Sequence, residues 1–245
     1  MKKTLIAVAA ALGFSALPSV SFAEDAAPLS FNVGAFTDYR YRGISQTRLK
    51  PAVQGGFDYA VPGGLYFGAW ASNIKWIKDN GGDGGIEIDL YGGYKGEIQK
   101  DFTYDVGFLT YQYPSNKLNP SANTTEIYGA FTFGPATAKY SHSLTNLFGT
   151  ADSKGSGYLD LSATFEVGSI TVVPHVGFQS VKRNSTSSYT DYAITVSKDF
   201  SGFLLSAALV GADTKSIAGV PVYTSPANGK NLAKTGLVLG VKYTF

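Results

Sequence analysis

The sequence predicts an all-β fold, a transmembrane antiparallel up-and-down β-barrel of about twelve strands, and three observations carry that expectation. From residue 29 onward, segments of about ten residues alternate apolar and polar side chains, the period of a sheet with two different faces. The links between these segments are alternately short and long. The last segment places apolar residues at every second position and finishes on an aromatic.

Composition points the same way: 29 Gly, 16 Tyr and 16 Phe with one Met describe a chain poor in helix formers and rich in sheet and turn residues. At the N-terminus, Lys2 and Lys3 precede an apolar stretch over 5–17, and Ser21-Phe22-Ala23 stand before Glu24. That order reads as a signal peptide cleaved after residue 23, leaving 24–245 as one domain. Removing those 23 of the 245 residues leaves 222, with 18 basic against 18 acidic side chains. A neutral chain gives no argument for a nucleic-acid partner. The absence of cysteine excludes a disulfide scaffold and thiolate metal sites. The densest apolar run beyond the leader, 203–212, is about half of what a spanning helix needs. If the chain crosses a bilayer, a closed barrel is then the remaining way to pair every backbone group.

In chain order the expected strands are 29–41, 51–61, 65–76, 86–95, 101–112, 124–133, 136–145, 157–167, 170–181, 189–199, 203–212 and 234–245. Short turns fall at Pro62-Gly63-Gly64, 96–100, Gly134-Pro135, Gly168-Ser169 and Phe200-Ser201-Gly202. Longer polar links lie at 42–50, 77–85, 113–123, 146–156, 182–188 and 213–233. Short links on one side and long ones on the other match tight periplasmic turns and long outer loops, and an even strand count puts both termini on the periplasmic side. The expected location is the bacterial outer membrane. In 65–76 the parity stays open, because Tyr66, Trp70 and Ile74 compete with Leu65, Phe67 and Ala69 for the lipid side.

A soluble sandwich or lipocalin-like barrel would also alternate, placing Glu87 and Asp89, or Asp160 and Glu166, on its outer surface. The last strand separates the two readings. Its residues 237–245 end on Tyr243-Thr244-Phe245 and resemble the C-terminal assembly signal through which barrel-insertion machinery reads outer-membrane proteins. A soluble protein gains nothing from exposing Tyr243 and Phe245 at a mobile terminus. Aromatics near strand ends agree with two interfacial girdles: Tyr39, Tyr41, Tyr59, Tyr66, Trp76, Tyr94, Phe102, Tyr104, Phe133, Tyr140, Tyr192 and Phe203.

Residues 36–47 read Phe-Thr-Asp-Tyr-Arg-Tyr-Arg-Gly-Ile-Ser-Gln-Thr. This stretch resembles the opening motif of the TorF porin family, with its Asp-Tyr-x-x-Arg-Gly-x-Ser-Gln pattern. Gly68-Ala69-Trp70-Ala71-Ser72-Asn73 and the stretch 140–146 are similar to later parts of the same family. The resemblance implies an outer-membrane barrel of porin type with no settled substrate.

Charge on the lipid face costs about 2–4 kcal/mol for a mid-bilayer Arg, so the polar parity is expected to line the lumen. With Phe31, Val33, Ala35, Tyr39 and Tyr41 facing lipid, Asn32, Asp38, Arg40 and Arg42 face inward. The same reading puts Gln54, Asp58, Glu87, Asp89, Lys95, Asp105, Glu126, Lys139, Asp160, Glu166, His175, Asp191 and Lys242 inside. Nine acids against five bases predict a weak cation preference. Arg40 and Arg42 are candidates for a charged constriction; alternatively they pair with acids and fill a narrow interior, since twelve strands fall between packed and open barrels.

Catalysis is not expected. An outer-membrane phospholipase arrangement needs His and Ser two residues apart on one strand, whereas Leu144 follows His142 at that spacing and Ser143 points the other way. The two histidines, His142 and His175, lack ligand spacing for a metal, and no cofactor is implied. The glycine-rich run at 81–85 is followed by neither a helix nor Lys in phosphate-cradling register and reads as a flexible loop. The expected function is a porin-like channel for small hydrophilic solutes or ions, with outer-membrane lipids as surroundings. A non-conducting barrel acting through its outer loops is the alternative.

Overall fold

The computed structural model describes residues 28–245; the expected leader over 1–23 lies outside them. Among the described residues, twelve long strands form one sheet: β1 (Leu29–Phe36), β2 (Ala52–Ala60), β3 (Leu65–Asn73), β4 (Ile86–Gln99), β5 (Phe102–Gln112) and β6 (Thr124–Phe133). They continue with β7 (Ala136–Ser143), β8 (Gly157–Ala163, resuming at Phe165–Val167), β9 (Ile170–Ser180), β10 (Tyr189–Phe200), β11 (Phe203–Asp213) and β12 (Gly236–Thr244). Each strand pairs antiparallel with the next, and β12 returns to β1, with Asn32 opposite Thr244 and Phe36 opposite Gly240. Reciprocal backbone bonds between Phe31 and Phe245, at 2.8 and 2.9 Å, complete the seam. The sheet is a closed barrel.

Turn chemistry explains the short end. At Ser201-Gly202 both residues have positive φ (56° and 93°), the requirement of a two-residue turn whose twist matches its strands. β4 extends four residues beyond expectation, with a register shift between Glu97 and Gln99. The turn expected at 96–100 therefore contracts to Lys100-Asp101, with Asp101 at φ 62°.

The first strand stops at Phe36 instead of reaching residue 41, and this is the main correction to the expected layout. Asp38 accepts hydrogen bonds from Ser45 Oγ (2.6 Å) and Thr47 Oγ1 (2.8 Å), while the Tyr39 amide donates to Thr47 Oγ1 (3.1 Å). These local bonds give the backbone an alternative to the ladder. The chain leaves the wall and folds inward as a small hairpin, Arg40–Tyr41 against Ile44–Ser45, turning at Arg42 and Gly43. Tyr39 and Tyr41, expected to face lipid, therefore sit inside: Tyr39 bonds Glu87 and Tyr41 bonds Tyr111. The third strand likewise ends early, at Asn73, and a single helical turn, α1 (Trp76–Asp79), follows it in the link to β4.

The wall has two chemically distinct faces. Leu29, Phe31 and Val33 of β1, Phe108 of β5, Phe131 of β6, Leu209 of β11 and Leu237 of β12 are exposed on the outside. In β3 the open parity resolves with Leu65 and Phe67 outward, 56% and 51% exposed, and Tyr66 inward at 5%. Of the expected girdle aromatics, Tyr94, Phe133, Tyr140, Tyr192 and Phe203 are exposed, whereas Tyr66, like Tyr39, belongs to the interior.

Glycine and tyrosine explain each other on the inner face. Tyr91 lies over its cross-strand neighbour Gly68, where an added Cβ would come 2.5 Å from the phenolic oxygen. Tyr66 covers Gly93 and Tyr128 covers Gly107 in the same manner, at 2.6 Å in both cases. A side chain at these positions would collide with a ring that is held in place, Tyr91 by Asp58 and Tyr66 by Asp105. Gly68→Val should therefore destabilise the barrel by about 1–3 kcal/mol. Gly129→Ala, on the outer face with its nearest neighbour Val106 at 4.0 Å, should change little. The temperature at which the folded band converts to the unfolded one on a semi-native gel checks both; equal midpoints for the two variants would contradict the packing account.

Candidate functional site

The inward parity collects the ionisable side chains of the wall, and they fall into two zones. Toward the short turns, Tyr91 donates to Asp58 (2.5 Å) and Tyr66 to Asp105 (2.6 Å). Lys139 sits 4.0 Å from the centre of the Tyr128 ring and opposite Asp160 in register. His175 bridges two carboxylates, with Nδ1 3.3 Å from Asp160 and Nε2 2.8 Å from Asp191. Asn32, Lys95, Asp105, Lys139, Asp160, His175 and Lys242 retain partial solvent access, so this half of the interior is open to water. Glu166 takes the inward parity beside Thr171 (3.0 Å) but lies exposed at the rim.

Toward the long loops the interior closes. Arg42, at the tip of the inward hairpin, donates Nη2 to Glu126 (2.7 Å) on β6 and Nη1 to Gln179 (2.7 Å) on β9. Its guanidinium also lies 4.1 Å from the centre of the Tyr158 ring. One side chain thus spans from one wall to another, the two arms of its planar guanidinium each reaching a different strand. Glu87 accepts from Tyr39 (2.6 Å), and Asp89 shares its strand face. Glu87, Glu126, Arg42 and Asp191 are 1–3% exposed, which seals this layer.

Arg40 does something different. Its Nε meets Asp38 at 2.5 Å, and Nη1 donates to the carbonyls of Gly43, Leu232 and Lys234 at 3.0–3.1 Å. Arg40 fastens the hairpin to the link between β11 and β12, and the lumen-facing site on a first strand expected for it does not exist. Gln179, Tyr158 and Tyr111 were not legible in the sequence as partners of the hairpin, because alternation assigns a face and never the residue across the barrel. His142 and Ser143 occupy opposite faces of β7. Among the described residues, no group of three His, Cys, Asp or Glu side chains could hold a metal.

Burying the Arg42–Glu126 pair leaves each charge dependent on the other. Glu126→Gln should lower stability by about 3–5 kcal/mol, the range for stranding one member of a buried pair. Thermal conversion of the folded band measures it; a wild-type midpoint would show that Arg42 does not rely on Glu126.

Comparison with known proteins agrees with this architecture. A KdgM porin superposes with a TM-score of 0.57 at 9% identity, covering 88% of this chain and 99% of that one. A NanC porin gives 0.55 at 10% identity, covering 88% and 98%. At these identities the likeness is one of fold: the barrel is built as in outer-membrane porins. No curated protein matches the sequence. A family described as bacterial protein of unknown function (Gcw_chp) matches residues 22–245, and this chain is a member of it.

Proposed function

We propose that the protein is an outer-membrane, porin-like channel for passive diffusion of small hydrophilic solutes or ions, narrowed and held shut by the hairpin that Arg42 latches. The observation that carries this reading is a closed barrel with an apolar outside and an ionisable inside, occluded by a loop and not by the wall itself. A loop plug is held by a few side-chain bonds and can shift, whereas a barrel filled by its own strands cannot. In the outer membrane the short turns and both termini would face the periplasm. Tyr243 and Phe245 would present the last strand to the insertion machinery. The similarity of residues 36–47 to the TorF porin family supports the same reading, and that motif is the hairpin itself.

The second reading is a non-conducting barrel with a structural or adhesive role through its loops. The near-complete burial of the Arg42 layer favours it. Conductance separates the two. Purified protein in a planar bilayer should give discrete current steps. Arg42→Ala, which cuts the ties to Glu126 and Gln179 and leaves Glu87, Asp89 and Glu126 without that cation, should lengthen the open state and shift selectivity toward cations. A membrane that stays sealed after verified insertion of both proteins would retire the channel reading.

A further inference from the structure

We infer that the outer vestibule is a binding site for a neutral saccharide. Above the Arg42 layer the long loops enclose a cavity of about 710 Å³, within the roughly 300–1,000 Å³ of small-molecule sites. Six aromatic residues line it: Tyr41, Trp76, Tyr113, Phe148, Tyr189 and Tyr223. They are organised as edge-to-face pairs, Tyr41 with Phe148 at 5.3 Å, Trp76 with Tyr113 at 5.0 Å and Tyr189 with Tyr223 at 5.1 Å. Such pairing fixes the rings at few rotatable bonds, so little order is lost when a ligand arrives.

Charge narrows the class. The acidic and basic side chains on the wall are Asp79 and Lys117, and each is already paired. Asp79 is held by Arg48 and accepts from Ser225 Oγ (3.2 Å), while Lys117 meets Asp83 at 2.5 Å. A cationic solute would find Asp79 already engaged by Arg48, and an anionic one would find only Lys117 at the exposed mouth, where Asp83 already neutralises it. Gln46, Asn80 and Asn119 carry amide groups on the same wall. A ligand for this lining needs apolar faces for the electron-rich rings, hydroxyls for the amides and no net charge, which is the chemistry of a neutral sugar ring.

The floor of the cavity includes Tyr41 and Gln179, and both touch the latch: Gln179 accepts from Arg42, whose guanidinium lies 4.9 Å from the Tyr41 ring centre. A sugar seated there rests on the hairpin that closes the lumen. The inference names the solute class for the proposed channel and rests on that reading for its purpose, but binding itself does not require conduction.

The test uses the intact protein in detergent. With two tryptophans in the chain, Trp70→Phe leaves Trp76 as the reporter inside the vestibule. Titration with maltotriose, cellotriose or raffinose should give a saturable change in its fluorescence for at least one sugar. Calorimetry with that sugar should show Tyr223→Leu weakening binding about fivefold or more, while Tyr223→Phe, which keeps the ring, stays within about twofold. Heat-modifiable gel mobility verifies that each variant is folded. No saturable response to any of the three sugars, or tighter binding of trigalacturonate than of every neutral sugar, would overturn the inference. Binding without current steps would sink the channel reading and leave this one standing.

Discussion

Closure of the sheet between β1 and β12 is the constraint on which the rest of the molecule depends. An open edge in lipid would leave a row of amides and carbonyls unpaired, each costing several kcal/mol. The seam from Asn32 to Phe36 removes that edge. Once the wall is closed, every strand has one side toward the outside and one toward a confined interior, and two-residue alternation assigns each side chain to one of them. Phe67 and Leu237 remain exposed for this reason, and Glu87 and Asp191 are enclosed for the same one.

A twelve-strand interior falls between barrels that their own side chains fill and barrels that leave a wide water channel. This chain resolves the difference with two devices. On the inner wall, tyrosine rings lie over glycines and carry their hydroxyls to acids, as Tyr91 does to Asp58. At the loop end the inward hairpin supplies the missing volume and the missing cation. Arg42 then joins β6 to β9 through Glu126 and Gln179, a connection no strand pairing makes.

The outer loops pack into a structure of their own. Arg40 reaches the carbonyls of Leu232 and Lys234, Ser225 reaches Asp79, and Tyr223 donates to Ser187. Loops held in this way form walls, so the space above the hairpin is an aromatic vestibule with its ionic groups already satisfied. From the long loops to the short turns the interior therefore passes from an aromatic vestibule, through Arg42 set among acids, to a layer of acidic and basic side chains with partial access to water.

The sequence by itself determined the barrel: strand number, the order of short and long links, and the face taken by Phe31, Glu126 or Asp160 follow from period-two alternation and from turn residues such as Ser201-Gly202. These are local properties, set within a few residues of chain. Only the tertiary structure decided that the chain leaves the wall after Phe36 and folds Tyr39, Tyr41 and Arg42 inward. Alternation continues through residue 41, and the bonds that redirect it, from Ser45 and Thr47 to Asp38, form only once the chain has turned back on itself. The partners of Arg42 were equally invisible, because Glu126 and Gln179 lie 84 and 137 residues away and meet it only when the barrel has closed.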